Sequence, residues 1–295
     1  MELKNAEQNN GIIIKAVGGL YFVKTPDGVY ECKARGIFRK REISPCAGDN
    51  VSIQDNVITE ILLRKNSIIR PPLANLDQLI FVISTCEPSP NYNVIDKFVA
   101  VSEYKGIEPI IAITKIDLNK SEEIKEVYNS SGIKVLTIDY SDSKSCDELY
   151  SALENKISAF TGNSGVGKST LLNHIDLTLC AQTNEISRKL GRGKHTTRQV
   201  ELFQLDNGGF IADTPGFSSF ETNKYDIIRK EDLSSCFREF SKYSDKCMFH
   251  DCSHTKEKGC SVIEAVNKGE ISKSRHESYV EMYEEAKNIK EWENK

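Results

Sequence analysis

Eight residues have types and spacing suited to holding phosphate: Gly162-Asn163-Ser164-Gly165-Val166-Gly167-Lys168-Ser169. They fit the template G-x-x-x-x-G-K-[ST]. The three glycines let the backbone curl until successive N–H groups point inward at phosphate oxygens. Lys168 would reach the β and γ phosphates of a nucleotide, and the Ser169 hydroxyl would ligate Mg²⁺. Thr170 follows and joins the nucleotide-binding set. A helix opening at Lys168 would add its positive N-terminal end. The flanks suit this: 156–161 reads as a short buried strand leading in, and 168–175 as a helix leading out.

Two further motifs suggest what is bound. Asp213-Thr214-Pro215-Gly216 follows a predicted strand, 45 residues beyond Lys168. In phosphate-loop hydrolases a carboxylate placed like Asp213 helps hold Mg²⁺, and a glycine N–H placed like Gly216 senses the γ-phosphate. Thr114-Lys115-Ile116-Asp117 also follows a predicted strand and resembles the N/T-K-x-D motif of GTP-binding proteins. A fixed Asp117 carboxylate would accept two hydrogen bonds from guanine, one from the ring N–H and one from the amino group. Adenine offers no such pair of donors on that edge, so an ATPase or kinase reading is disfavoured. Thr114 stands where Asn is commoner. In ordinary GTPases the phosphate loop comes first, D-x-x-G second and the guanine motif last. Here 114–117 precedes 162–169, which implies a circular permutation.

The elements that must position these motifs fall into three stretches. Residues 11–70 look all-β, with short runs at 12–17, 20–23, 29–34, 50–53 and 57–63 punctuated by Gly18-Gly19, Asp27-Gly28 and Gly48-Asp49. Five such strands suggest a small barrel of the oligonucleotide-binding (OB) type. Between the third and fourth lies Arg35-Gly-Ile-Phe-Arg-Lys-Arg41. This run is either a solvated loop or a mix of phosphate contact and base stacking. Arg70-Pro71-Pro72 marks a boundary. Beyond it strands (78–84, 108–114, 134–139) alternate with helices (94–104, 121–129, 146–153), which argues a parallel sheet covered on both faces. Ser121 is the expected N-cap of the second of these helices. Segments 199–205 and 209–212 should pair across Asp206-Asn207-Gly208.

The 295 residues predict two domains, or three if some are small. Net charge is −4, so nothing global favours nucleic acid. The charge is uneven, however: residues 1–70 hold 11 Lys/Arg against 8 Asp/Glu, and the remainder 28 against 35. A basic module on an acidic body fits an RNA-facing end. Apolar runs are too short to span a bilayer and the first residues show no signal pattern, so a cytoplasmic protein is expected. Its nine cysteines then point to metal ligation or core packing rather than disulfides. Cys247, Cys252 and Cys260 lie within 14 residues, together with His250 and His254. Three cysteines and one histidine make a closed tetrahedral zinc set of the structural kind. A helix is expected over 231–243, and a charged amphipathic helix carrying Tyr279, Met282, Tyr283 and Trp292 from Ile271 onward.

On these residues the chain resembles the circularly permuted, ribosome small-subunit-dependent GTPase family of bacteria (the RsgA/YjeQ type). The resemblance covers nearly the whole chain: Arg35-Gly-Ile-Phe-Arg-Lys, Gly48-Asp49, Arg64-Lys-Asn, Arg70-Pro-Pro, the permuted motifs and the cysteine cluster. It implies an OB-fold RNA-binding domain over 1–70, a permuted GTPase domain over 71–221 and a helical zinc-binding domain over 222–295. It also implies GTP hydrolysis in late maturation of the small ribosomal subunit, stimulated by that subunit and its rRNA, with GTP/GDP, Mg²⁺ and one structural Zn²⁺. It selects His254 as the fourth zinc ligand. Gly193-Lys-His-Thr-Thr-Arg198 resembles the family's first switch, with Thr197 on Mg²⁺ and His195 positioning water. Without the resemblance, His195 in so basic a loop reads as solvated or phosphate-facing. Phe217 stands where many GTPases carry a water-orienting glutamine, so free turnover should be slow. The guanine-backing motif is poorly matched; Asp139-Tyr140-Ser141 is the nearest candidate. Because D-x-x-G leads straight into the zinc region, nucleotide state is expected to reorient that region against the sheet. Nothing demands a dimer, so a monomer is expected. The competing reading is an RNA-binding module in which nucleotide plays only a structural role.

Overall fold

β-Branched runs joined by tight turns curl into a five-stranded barrel near the start of the chain. The computed structural model describes residues 9–40, 43–69, 71–175, 200–213 and 228–288. Strands β1 (Asn9–Val17), β2 (Leu20–Thr25), β3 (Gly28–Ala34), β4 (Asn50–Gln54) and β5 (Val57–Ile61) pair in the cycle β1-β2-β3-β5-β4-β1. Only β3–β5 is parallel. Asp55 and Asn56 both take positive φ, 51° and 58°, which two-residue hairpin turns of this hand require. Alternate side chains point inward: Ile13, Val23, Cys32, Val51, Ile53 and Ile58 fill the barrel.

Phe38 joins that core at 6% exposure, carried in by the one-turn helix α1 (Ile37–Lys40). This corrects the base-stacking reading of the 35–41 run. Its single aromatic is spent on the barrel interior, where burying a phenyl ring is worth roughly 1.5–3 kcal/mol.

The chain forms two compact units, each drawn from separated stretches. The first takes Met1–Gln78, Tyr150–Phe160 and Ser169–Phe217; the second takes Leu79–Leu149, Thr161–Lys168 and Ser218–Lys295. In the first unit the barrel does not stand apart. Strand β12 (Glu201–Gln204) adds to β1 with Lys15 opposite Glu201, and those two side chains form a 2.6 Å ion pair. β12 pairs antiparallel with β13 (Phe210–Asp213), closing the expected hairpin, and β13 runs parallel to β11 (Ile157–Thr161). At the barrel's exit, the buried Asp49 accepts from Arg64 Nε at 2.6 Å and Nη2 at 2.8 Å, and from Cys46 N–H at 2.8 Å. The Gly48-Asp49 and Arg64 motifs therefore lock one another.

After the short pair β6 (Ser67–Ile68) and β7 (Leu73–Ala74) of the first unit, the second unit contains β8 (Gln78–Ser84), β9 (Glu108–Thr114) and β10 (Lys134–Thr137), with β9 central and β10 parallel to it. β8 is buried along its whole length, as a strand covered on both faces must be. Helices follow at α2 (Tyr92–Tyr104), α3 (Glu122–Ser130) and α4 (Ser143–Ala152). Asn91, not foreseen, caps α2 by accepting from Val94 N–H at 3.2 Å, whereas Ser121 makes no side-chain cap bond to α3.

The expected helix over 231–243 is also corrected. Helix spans only Lys230–Leu233, and 3₁₀ turns occupy 234–236, 238–242 and 244–246. The hydroxyls of Ser235, Ser241 and Ser244 turn back onto the carbonyls of Asp232, Arg238 and Phe240 at 2.6, 2.7 and 2.8 Å. Serines competing for local carbonyls in this way disfavour regular helix. The tighter turns send both Phe237 and Phe240 inward to meet Tyr279, with ring centroids 5.1 and 4.8 Å away. Helices Ser261–Asn267 and Lys273–Lys287 complete this region, which shares one apolar core with Ala100 and Val101 of α2. Trp292 lies outside the described residues.

Candidate active site

β11 delivers the chain into the 162–167 loop, and helix α5 (Lys168–Ile175) carries it out. Gly162 is required by space: a Cβ there would meet the Val82 carbonyl oxygen at 2.3 Å. Gly167 is required by conformation, at φ +89°. Asn163, Ser164 and Gly165 are exposed while Val166 is buried at 3%, plugging the loop into the unit beneath it. Lys168 is half-buried, and Ser169 and Thr170 are exposed on the first turn of α5. The loop's exposed residues 163–165 thus precede a helix N-terminus, which fits the phosphates of a nucleotide and an accompanying Mg²⁺.

The guanine motif meets this loop directly. Thr114 ends β9 fully buried, and its hydroxyl lies 2.5 Å from the Val166 carbonyl and 3.0 Å from that of Ile83. One side chain thus ties the 114–117 turn, the 162–167 loop and β8 together. The Thr that replaces the commoner Asn makes this tie with a hydroxyl instead of an amide. Lys115 takes φ +55° and its ammonium donates to the Glu87 carbonyl. The Lys115 carbonyl receives Leu118 N–H at 3.1 Å, closing a turn that presents the exposed Asp117.

The 139–141 stretch comes to the same place. Tyr140 Oη lies 3.5 Å from the Gly167 carbonyl. The Asp139 carboxylate accepts from Ser141 Oγ at 2.6 Å and Ser141 N–H at 2.8 Å, and these bonds lower its pKa. Asp213 closes β13 opposite Glu201 in the ladder. His195, Thr197 and Gly216 lie outside the described residues, as do Thr196 and Phe217.

In the C-terminal region the side chains of Cys247, Cys252, His254 and Cys260 converge, with all four candidate ligand atoms within 4.8 Å of one another. Cys247 Sγ lies 3.6 Å from His254 Nδ1 and 3.9 Å from Cys260 Sγ, and Nδ1 is 3.4 Å from Cys260 Sγ. A tetrahedral zinc ion with these ligands sets such edges at about 3.5–3.8 Å, so the donor set and spacing fit it. His250 is not part of the cluster. Burial pushes the Cys252 thiol up to about 12 and lowers the His254 pKa. A coordinated dication would act on the thiols in the opposite sense. The ligand loop is held from outside by the helix Lys273–Lys287, on which the sequence leads one to expect Tyr279 but does not single out His276. His276 Nε2 lies 2.7 Å from the His254 carbonyl, and Tyr279 Oη donates to the Ser253 carbonyl at 2.7 Å. Burial works to raise the Glu257 carboxyl, but donors from Ser253 and the backbone outweigh it and hold it at about 2.

Residues 61–223 match the RsgA GTPase family and residues 10–60 match the RsgA N-terminal domain. The chain is 43% identical over 289 residues to "Small ribosomal subunit biogenesis GTPase RsgA" of Caldanaerobacter subterraneus subsp. tengcongensis, covering 95% of this chain and 97% of that one. It is 45% identical to the protein of the same name from Streptococcus pyogenes serotype M6, covering 95% and 96%. Among solved structures it is similar to YjeQ from Thermotoga maritima, with TM-score 0.82, 33% identity and coverage of 96% and 100%. It is also similar to YloQ, described as a circularly permuted GTPase, with TM-score 0.80, 35% identity and coverage of 98% and 99%.

Proposed function

The chain belongs to the RsgA GTPase family, and from that premise we propose that it hydrolyses GTP during late maturation of the small ribosomal subunit. The observation that carries the reading is the Thr114 hydroxyl at the Val166 carbonyl, which joins base recognition to phosphate binding. The 162–167 backbone cradles the phosphates, Lys168 pairs the β and γ oxygens, and Asp117 accepts from guanine. Ser169 and Thr197 would hold Mg²⁺ with help from Asp213, and the Gly216 N–H would sense the γ-phosphate. When bound, Mg²⁺ supplies positive charge beside the β and γ oxygens. His195 orients the attacking water, a duty that Phe217 cannot perform. Asn163, Ser164, Gly165, Val166, Gly167 and Thr170 complete the nucleotide contacts, with Thr114 and Lys115 beneath the base.

The working parts follow as an RNA-binding barrel over 1–70, a GTPase over 71–221 and a zinc module over 222–295. Barrel and zinc module grip the small subunit and its rRNA, and the protein acts as a cytoplasmic monomer. Among the described residues no helix is long and apolar enough to cross a membrane.

Free turnover should be slow, and saturating small subunits should raise it steeply, by up to about 10⁵-fold if they complete the site as fully as known activators do. ATP should be turned over poorly in both conditions. Phosphate release measured for both nucleotides, with and without subunits, checks this; GTP turnover indifferent to subunits removes the ribosomal assignment.

Zinc held by Cys247, Cys252, His254 and Cys260 crosslinks a loop too short to bury a core. Its binding must displace thiol protons, so affinity should fall as pH is lowered from 8 to 6. Competition against a chelator across that range measures it. A pH-independent affinity would exclude these thiols as ligands.

A further inference from the structure

The turn after β8, residues 85–91, belongs to none of the motifs above, yet it grips the guanine motif at both ends of one residue. Thr85 is buried at 4% exposure. Its hydroxyl donates to the Lys115 carbonyl at 2.6 Å, and its N–H donates to the Thr114 carbonyl at 3.2 Å. Two residues on, the Glu87 carbonyl takes the Lys115 ammonium. The turn itself is fixed by Ser84 Oγ donating to the Pro88 carbonyl at 2.8 Å and by the Asn91 cap of α2. The Lys115 carbonyl that Thr85 holds is the same acceptor that closes the Lys115–Leu118 turn around Asp117. Lys115 keeps a left-handed φ of 55°, a conformation costing a non-glycine residue on the order of 1 kcal/mol, so something must hold it there.

We propose that Thr85 is a positioning residue for base specificity: its hydroxyl sets the turn that aims Asp117 at guanine, without touching the nucleotide. This rests on the reading that Asp117 accepts from guanine. Asp117 is exposed at the tip of its turn, so its aim depends on the anchor beneath it. Two hydrogen bonds to one carboxylate demand both distance and angle. A turn released from Thr85 keeps the carboxylate but loses the paired geometry.

Equilibrium binding of GDP and IDP to the full-length, zinc-loaded chain tests this. Inosine keeps the ring N–H and lacks the amino group, so the ratio of the two affinities reads the second hydrogen bond to Asp117. Thr85→Val should weaken GDP about tenfold, the size of one lost hydrogen bond, and IDP by no more than about threefold. Thr85→Ser keeps the hydroxyl and should keep the parental ratio. An unchanged ratio in Thr85→Val overturns the proposal. So does equal loss of both nucleotides, which marks a merely structural role, or a Thr85→Ser protein as impaired as Thr85→Val. Asp117→Ala separates the two levels of the argument. If it leaves the ratio intact, the guanine reading itself fails and this proposal with it. If it collapses the ratio while Thr85→Val does not, only the role of Thr85 fails.

Discussion

Arg275→Met should destabilise the protein by about 3–5 kcal/mol, the cost typical of breaking a buried ion pair from one side. Arg275 is wholly buried in the C-terminal helix. Its Nε and Nη2 donate to Glu239 at 2.8 and 3.2 Å, and its Nη1 donates to Asp96 of α2 at 2.8 Å. Its guanidinium lies over the Phe237 ring, 4.5 Å from the centroid. Burial alone would lower the Arg275 pKa, but the Glu239 and Asp96 carboxylates more than offset this and raise it. The Asp96 Oδ1 also accepts from Tyr128 of α3 at 2.9 Å, while its Oδ2 is buried without a hydrogen-bond partner. With the cation gone, two carboxylates would share a dry site with no counter-charge. Urea midpoints measure the loss. Adding Asp96→Asn and Glu239→Gln should recover much of it, because no buried charge then remains. A single variant within about 0.5 kcal/mol of the parent would mean the cluster is hydrated.

The same cluster belongs to a wider seam between α2 and the C-terminal region. Asn93 and Lys97 of α2 also bond Glu281 and Glu285 of the C-terminal helix at 2.7 and 2.8 Å. Arg238 pairs with Glu103 and Glu108 and donates to the Gly132 carbonyl at 3.1 Å. Any movement of the 247–260 region against α2, such as chain order leads one to expect with nucleotide state, would have to break Arg275 from Asp96.

Lys168→Ala should lower GTP turnover about a thousandfold, the upper range for removing one group that stabilises developing charge at a reacting centre. The loss should be far larger in turnover than in GDP affinity. GDP keeps the loop amides and the guanine contacts, whereas the γ-phosphoryl oxygens acquire charge only during transfer. Single-turnover hydrolysis with free protein measures this. If parent and variant hydrolyse GTP at the same rate, the protein is an RNA-binding module with a structural nucleotide, not an enzyme.

Much of this was legible in order along the chain. The phosphate loop, the 114–117 motif and the three clustered cysteines depend on local spacing, and local spacing is what a sequence displays. The choice of His254 over His250 comes from the family resemblance, and the structure brings His254 to the cysteines. The barrel strands were legible because one buried face forces alternation. The burial of Phe38 was not legible, and the 35–41 run stays open on sequence alone, because an aromatic among cations looks the same whether its ring faces solvent or core. The 231–243 stretch was misread because serine back-bonding and inward phenylalanines compete with helix only once a core exists to receive the rings.

The sequence by itself determined the chemistry on offer: glycines that free a backbone, a carboxylate able to accept two donors, thiols and an imidazole within reach of one ion. Only the tertiary structure decided how those groups are held. Thr85 bonds Lys115 across 30 residues, Arg275 bonds Asp96 across 179, and Asp49 bonds Arg64 across 15. No periodicity or motif encodes a contact across such gaps. It arises when burial strips water from a polar group and leaves it to bond whatever the fold has placed beside it.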